Sequence, residues 1–195
     1  MKKPKKKSQR QKPQKKQKAT SYLLNDKDAL KVAIGNEIKG RKLYLSFSKK
    51  TKIEAVKKLF TYLADQELVH IEVIKKFQSN INADINYIEV KNHFEKMGIK
   101  AQSEFFNHTV AHFNKKVKPS TTDLNAREIA MEIEHSSYDY YKKCYEKTIK
   151  ESLKKFFKYL MEQESGHYML IRNMYDFLQD PHQFYASEEK WNFEG

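Results

Sequence analysis

The sequence predicts an all-α fold: a four-helix bundle made of two duplicated antiparallel helical hairpins joined by a long crossover. Three observations predict it. The 195 residues hold only 5 Gly and 4 Pro with 39% hydrophobic residues, too little turn chemistry for an all-β chain. Shifted by 97 residues, the chain aligns with itself. Residues 53–74, IEAVKKLFTYLADQELVHIEVI, match residues 150–171, KESLKKFFKYLMEQESGHYMLI, at ten of 22 positions. Apolar residues in both copies recur at helical spacing: Phe60, Leu63, Ile71 and Ile74, then Phe157, Leu160, Tyr168 and Ile171.

The elements follow in order. Residues 1–19 carry ten basic side chains and no acidic one, so the remaining residues contribute only +3 of the net +13. With nothing apolar to bury, a Lys-rich tail over 1–20 is expected to be disordered. It suits, at most, weak sequence-independent contact with nucleic acid or an anionic surface. The bundle domain then spans 21–180. Its first helix is expected over 26–49 and its second over 52–79, opened by Thr51-x-x-Glu54. After a crossover over 80–121, with a short helix near 89–114, a third runs over 123–147. The fourth runs over 149–179, opened by Thr148-x-x-Glu151 and stopped by Asp180-Pro181. Both Thr-x-x-Glu units read as capping boxes. Residues 181–195 form a C-terminal extension, expected to pack on the bundle exterior.

Composition excludes several classes. A single cysteine, Cys144, cannot form an intramolecular disulfide framework or a Cys-based metal site. No apolar run is long enough to span a membrane, and the basic start leads into no secretory apolar segment. The expected address is the cytoplasm.

The chemistry lies in an interruption of the apolar stripe. Glu67 and His70 occupy it on the second helix, and Glu164 and His167 repeat them on the fourth. Glu37 lies between Ala33 and Tyr44 on the first helix, and Glu134 between Ala130 and Tyr141 on the third. Glu37 to Glu67 and Glu134 to Glu164 are equal intervals whose midpoints fall at the two hairpin turns. All four glutamates should therefore meet at one level, about 22 Å from the turns at 1.5 Å per residue. Facing buried carboxylates repel, and they persist only around a cation. One Glu from each of two helices, with Glu-x-x-His from each of the others, is the ligand set of di-iron and di-manganese carboxylate bundles. A third Glu-x-x-His, Glu132 to His135, has Gly35 and Ile38 as repeat mates and lies on the far side of its helix from Glu134. It reads as a surface pair. His108 and His112 read as exposed, with no carboxylate partner evident.

The stretches 33–44, 60–70, 130–141 and 157–167 resemble the metal-binding helices of the rubrerythrin-type branch of the ferritin-like superfamily. The resemblance implies a ferritin-like fold and two iron ions, with manganese as the alternative. Glu37, Glu67, Glu134 and Glu164 would be the carboxylate ligands and His70 and His167 the nitrogen ligands. Tyr44 and Tyr141 would correspond to tyrosines that hydrogen-bond the ligand carboxylates. Two departures stand out. Peroxide-reducing members carry an extra glutamate one turn after the third-helix ligand, where this chain has Ser137 and, at its repeat mate, Gly40. With Cys144 alone, no rubredoxin module can be read either.

The expected function is a non-haem di-iron redox protein, an oxidoreductase of the peroxidase or oxidase type. It would react with hydrogen peroxide or oxygen, draw on an external electron donor, and serve oxidative-stress defence or iron handling as a homodimer. Alternatives are a ferritin-type ferroxidase or iron store, a di-iron hydroxylase, and a nucleic-acid-associated protein acting through its tail.

Overall fold

A computed structural model describes residues 25–79, 98–111 and 117–186. The expected tail, part of the crossover, His112 and most of the C-terminal extension lie outside them. The described residues form α1 (Asp26–Lys50), α2 (Glu54–Ser79), α3 (Ile99–Val110), α4 (Thr121–Lys147) and α5 (Glu151–Gln179). A further helical stretch covers 181–186. The hairpins α1–α2 and α4–α5 build the all-α bundle, and α3, in the crossover, packs mainly on α5.

The crossover helix, expected near 89–114, is described over Ile99–Val110, α4 starts two residues earlier than expected, and the boundaries also differ where capping boxes were expected. Helices α2 and α5 begin at Glu54 and Glu151, two residues later than predicted. Thr51 and Thr148 instead terminate α1 and α4 in extended conformation. Their hydroxyls accept from the amides of Ile53, at 3.2 Å, and Lys150, at 3.3 Å. Reversing direction between two long helices takes three non-helical residues at each turn, and each threonine braces that turn instead of a helix start.

The capping box that does form opens α4. Ser120 Oγ accepts from the Asp123 amide at 3.2 Å, and the Asp123 carboxylate accepts from the Ser120 amide at 3.0 Å. Burial pushes the Asp123 carboxyl up, but hydrogen bonds from Ser120 and from Thr51 of the other hairpin outweigh it, leaving it below its ordinary value. One cap thus ties the turn of the first hairpin to the start of the second.

The core is divided into two lobes. One gathers Phe47, Val56, Leu59 and Phe60 with Ile171, Met174 and Tyr175. The other gathers Leu30, Ala33, Ile74 and Phe77 with Leu153, Phe156 and Phe157. The C-terminal half of α1 shares a lobe with the N-terminal half of α2, and the same antiparallel logic holds in α4–α5. Helix α3 adds Phe106 and Val110 to the first lobe, and Phe184 packs on Phe106 and Phe177. Between the lobes lies a polar layer.

Candidate metal centre

That layer contains Glu37 from α1, Glu67 and His70 from α2, Glu134 from α4, and Glu164 and His167 from α5. None is more than 2% exposed. Helical periodicity puts Glu67 and His70 one turn apart on the inward face, and the duplication repeats this in α5. Leu63 and Ile71 flank the first pair, and Leu160 and Ile171 the second, so the six polar side chains are walled above and below by hydrocarbon.

The distances follow a pseudo-twofold pattern. His70 Nδ1 lies 3.2 Å from Glu37 of its own hairpin and 3.7 Å from Glu164 of the other. His167 Nδ1 lies 3.5 Å from Glu134 of its own hairpin and 3.8 Å from Glu67 of the other. The imidazoles are stacked with centroids 5.2 Å apart. Donor atoms from Glu37, Glu67 and His70 lie within 4.8 Å of one another, as do those from Glu67, Glu134, Glu164 and His167. Glu67 belongs to both groups, so the two groups adjoin and share a carboxylate.

Tyrosines connect the hairpins across this layer. Tyr44 Oη donates to Glu134 Oε1, and Tyr141 Oη donates to Glu37 Oε1. Both phenols are fully buried. Burial, and then the Glu134 charge, drive the Tyr44 pKa well above its ordinary value, so its proton stays in place and the hydroxyl remains a donor.

The electrostatics favour a bound cation. Burial, and then the charge of Glu37, raise the Glu67 carboxyl well above the usual range. Burial, Glu37 and Glu134 do the same to Glu164. Burial also pushes Glu134 up, but His167 outweighs it and leaves that carboxyl low. Glu67 Oε2, Glu134 Oε2, Glu164 Oε1 and both ring nitrogens of His167 are buried without hydrogen-bond partners. Orphaned acceptors of this kind cost free energy unless something binds them. Oxygen and imidazole donors at these spacings suit a first-row transition metal, whose bonds of about 2.0–2.2 Å hold its donors within roughly 4.4 Å of each other. The residues fit a bound metal.

Other predicted positions separate cleanly. Glu132 and His135 are exposed on α4, outside the buried cluster, and His108 is exposed on α3. Ser137 is buried and, with Gly40, lines a cavity of about 340 Å³ between α1 and α4. A Cβ on Gly40 would stand 3.7 Å from the Glu67 carboxyl carbon. The extra-glutamate position and its repeat mate thus carry small residues on this cavity, with Gly40 also adjoining Glu67.

Two features escaped the sequence. Gln102 of α3 lies over Gly166, where a Cβ would sit 2.8 Å from both its Cδ and Nε2. The only available signal was Gly166 facing Val69 in the repeat, and nothing marked Gln102 as its neighbour. His135, Ser165 and Tyr168 also line a cavity reaching Glu134 and Glu164. Their difference from Ile38, Leu68 and Ile71 was visible in the repeat, but its meaning was not.

No helix among the described residues is long and apolar enough to cross a membrane. No curated protein and no solved structure matches the chain. A family model described as Rubrerythrin matches residues 28–175, covering both hairpins and the polar layer between them. That family implies iron binding, and the buried carboxylate–histidine cluster is a site that fits a metal. The match covers about three quarters of the 195 residues, and the chain belongs to the rubrerythrin family.

Proposed function

We propose that the protein is a non-haem di-iron redox protein whose centre reacts with hydrogen peroxide or oxygen, fed by an external electron donor. The observation that carries this reading is that each histidine lies within 4 Å of glutamates from both hairpins, inside a buried layer. Glu37 and His70 would hold one ion, and Glu134 and His167 the other. Glu67 adjoins both sets, and Glu164 would join the second.

Iron bound there supplies one-electron steps and affinity for dioxygen or peroxide. The chain's own residues do the rest. Four carboxylates offset the cationic charge and suit hard ferrous and ferric ions. Tyr44 and Tyr141 hold Glu134 and Glu37 from across the bundle, fixing the orientation of the carboxylates. The apolar lobes above and below wall the carboxylates off from water along the bundle axis. With Ser137 at the extra-glutamate position, the glutamate that the family's peroxidases carry there is not available to exchange with histidine. A slower or oxygen-directed reaction is therefore in keeping with these residues.

The test is reconstitution of the metal-free full chain with Fe(II) under anaerobic conditions. About two irons per chain are expected, abolished in the His70→Ala, His167→Ala double variant. Stopped-flow mixing with peroxide or with oxygen then measures which oxidises the loaded protein. Wild type that takes up no stoichiometric iron would overturn the reading, whereas stoichiometric manganese in its place would keep the site and change the metal.

A further inference from the structure

The hairpins are twins in sequence but not in what they place beside the carboxylates. Against α4 and α5 lies a cavity of about 280 Å³ whose floor is Glu134 and Glu164 and whose walls include His135, Tyr138, Ser165 and Tyr168. The corresponding residues of the first hairpin, 97 positions earlier, are Ile38, Arg41, Leu68 and Ile71. One side therefore offers imidazole and hydroxyl groups; the other offers three aliphatic side chains and a fixed positive charge.

The floor is built to attract a cation. Glu134 and Glu164 are essentially fully buried, and Glu134 Oε2 and Glu164 Oε1 lack hydrogen-bond partners. The mouth is open: His135 and Ser165 are exposed, Tyr168 is half-buried, and Met169, with its thioether at the rim, is 44% exposed. A divalent ion with six waters needs roughly 180 Å³ at about 30 Å³ per water, which this cavity accommodates. The larger cavity between α1 and α4 ends at Gly40 and Ser137 and includes none of the six residues of the polar layer in its lining.

We propose that the α4–α5 cavity is the entrance by which a hydrated divalent transition-metal ion reaches the centre, with His135 as a transient ligand at its mouth. This rests on the metal reading above. The ion exchanges water for the His135 imidazole, then for the carboxylates of Glu134 and Glu164, and the imidazole is released as the ion moves inward. On the twin side, Arg41 repels the same ion, and Ile38 and Leu68 offer it no donor.

The experiment measures loading rate, not turnover. Metal-free full-length protein is mixed anaerobically with Co(II), uptake is followed by the visible absorbance of the bound ion, and final stoichiometry is read by elemental analysis. His135→Ala should slow loading several-fold. His135→Ile with Ser165→Leu, which transplants the residues of the first hairpin, should slow it at least tenfold. Both should reach the wild-type stoichiometry. Loading at the wild-type rate in both variants overturns the proposal, and so does a lower final stoichiometry in His135→Ala, which would make His135 a permanent ligand. If the double variant does not fold, as judged by helical circular dichroism, His135→Ala alone decides. Failure of wild type to bind metal, or undiminished binding after loss of His70 and His167, would instead overturn the metal reading itself.

Discussion

At Glu164, burial works against the fold in the absence of metal. The carboxyl is walled by hydrocarbon and lies near Glu37 and Glu134, whose charges, after burial itself, raise its pKa. A raised acid favours the folded state only while protonated. Its contribution is fully present below the unfolded value, about 4.3, and is lost as pH rises through the folded value. The metal-free protein should therefore melt at lower temperature as pH increases out of the ordinary carboxylate range. Glu164→Gln, isosteric and uncharged, should raise the neutral-pH stability of metal-free protein by about 1 kcal/mol or more, or roughly 2–4 °C, while losing metal. Calorimetry of wild type and variant after chelation checks both; a lower melting temperature for the metal-free variant would contradict the account.

The elements show how context decides the value of one substitution. Gly35 lies inside α1, and a Cβ there would meet nothing within 4 Å. Gly35→Ala should stabilise by about 0.5–1 kcal/mol, the ordinary helix-propensity gain. Gly166 lies inside α5, but a Cβ there would overlap the Gln102 amide, and Gln102 is buried. Gly166→Ala should give no such gain in wild type and recover it, at about 1 kcal/mol, in a Gln102→Ala background. A double-mutant cycle in urea measures the difference. The α4 cap makes a separate prediction. Ser120→Ala should cost about 1 kcal/mol at neutral pH. Asp123 has a lowered pKa, so its stabilisation is present above the unfolded value of about 3.9 and lost as pH falls through the folded value. The Ser120→Ala penalty should therefore shrink at acid pH, as equilibrium unfolding at several pH values would show.

At the scale of the whole molecule, the polar layer is the seam between two hairpins that otherwise touch through separate apolar lobes. Tyr44 and Tyr141 each reach across that seam to a carboxylate. A metal bound there engages all four bundle helices at once and has no comparable site in the unfolded chain. Binding should then stabilise the fold as a unit, by about 2.7 kcal/mol at a hundredfold excess over the dissociation constant, or roughly 5–10 °C. Melting with and without Fe(II) under nitrogen measures the shift. The shift should vanish in the His70→Ala, His167→Ala variant, and its persistence there would place the stabilising metal elsewhere.

The sequence by itself determined the bundle, the duplication and the level at which six polar residues meet, because helical periodicity and equal spacing about two turns are local and repetitive properties. It also located the break at Asp180. Only the tertiary structure decided which capping box forms, since Ser120–Asp123 gains Thr51 from the other hairpin while the two Thr-x-x-Glu units are drawn into tight turns. Only the tertiary structure showed which tyrosine reaches which glutamate, that Gln102 lies over Gly166, and that His135 borders a cavity floored by Glu134 and Glu164. Each of these depends on how separate helices pack side by side, and a contact between residues far apart in the chain leaves no periodic trace within either helix.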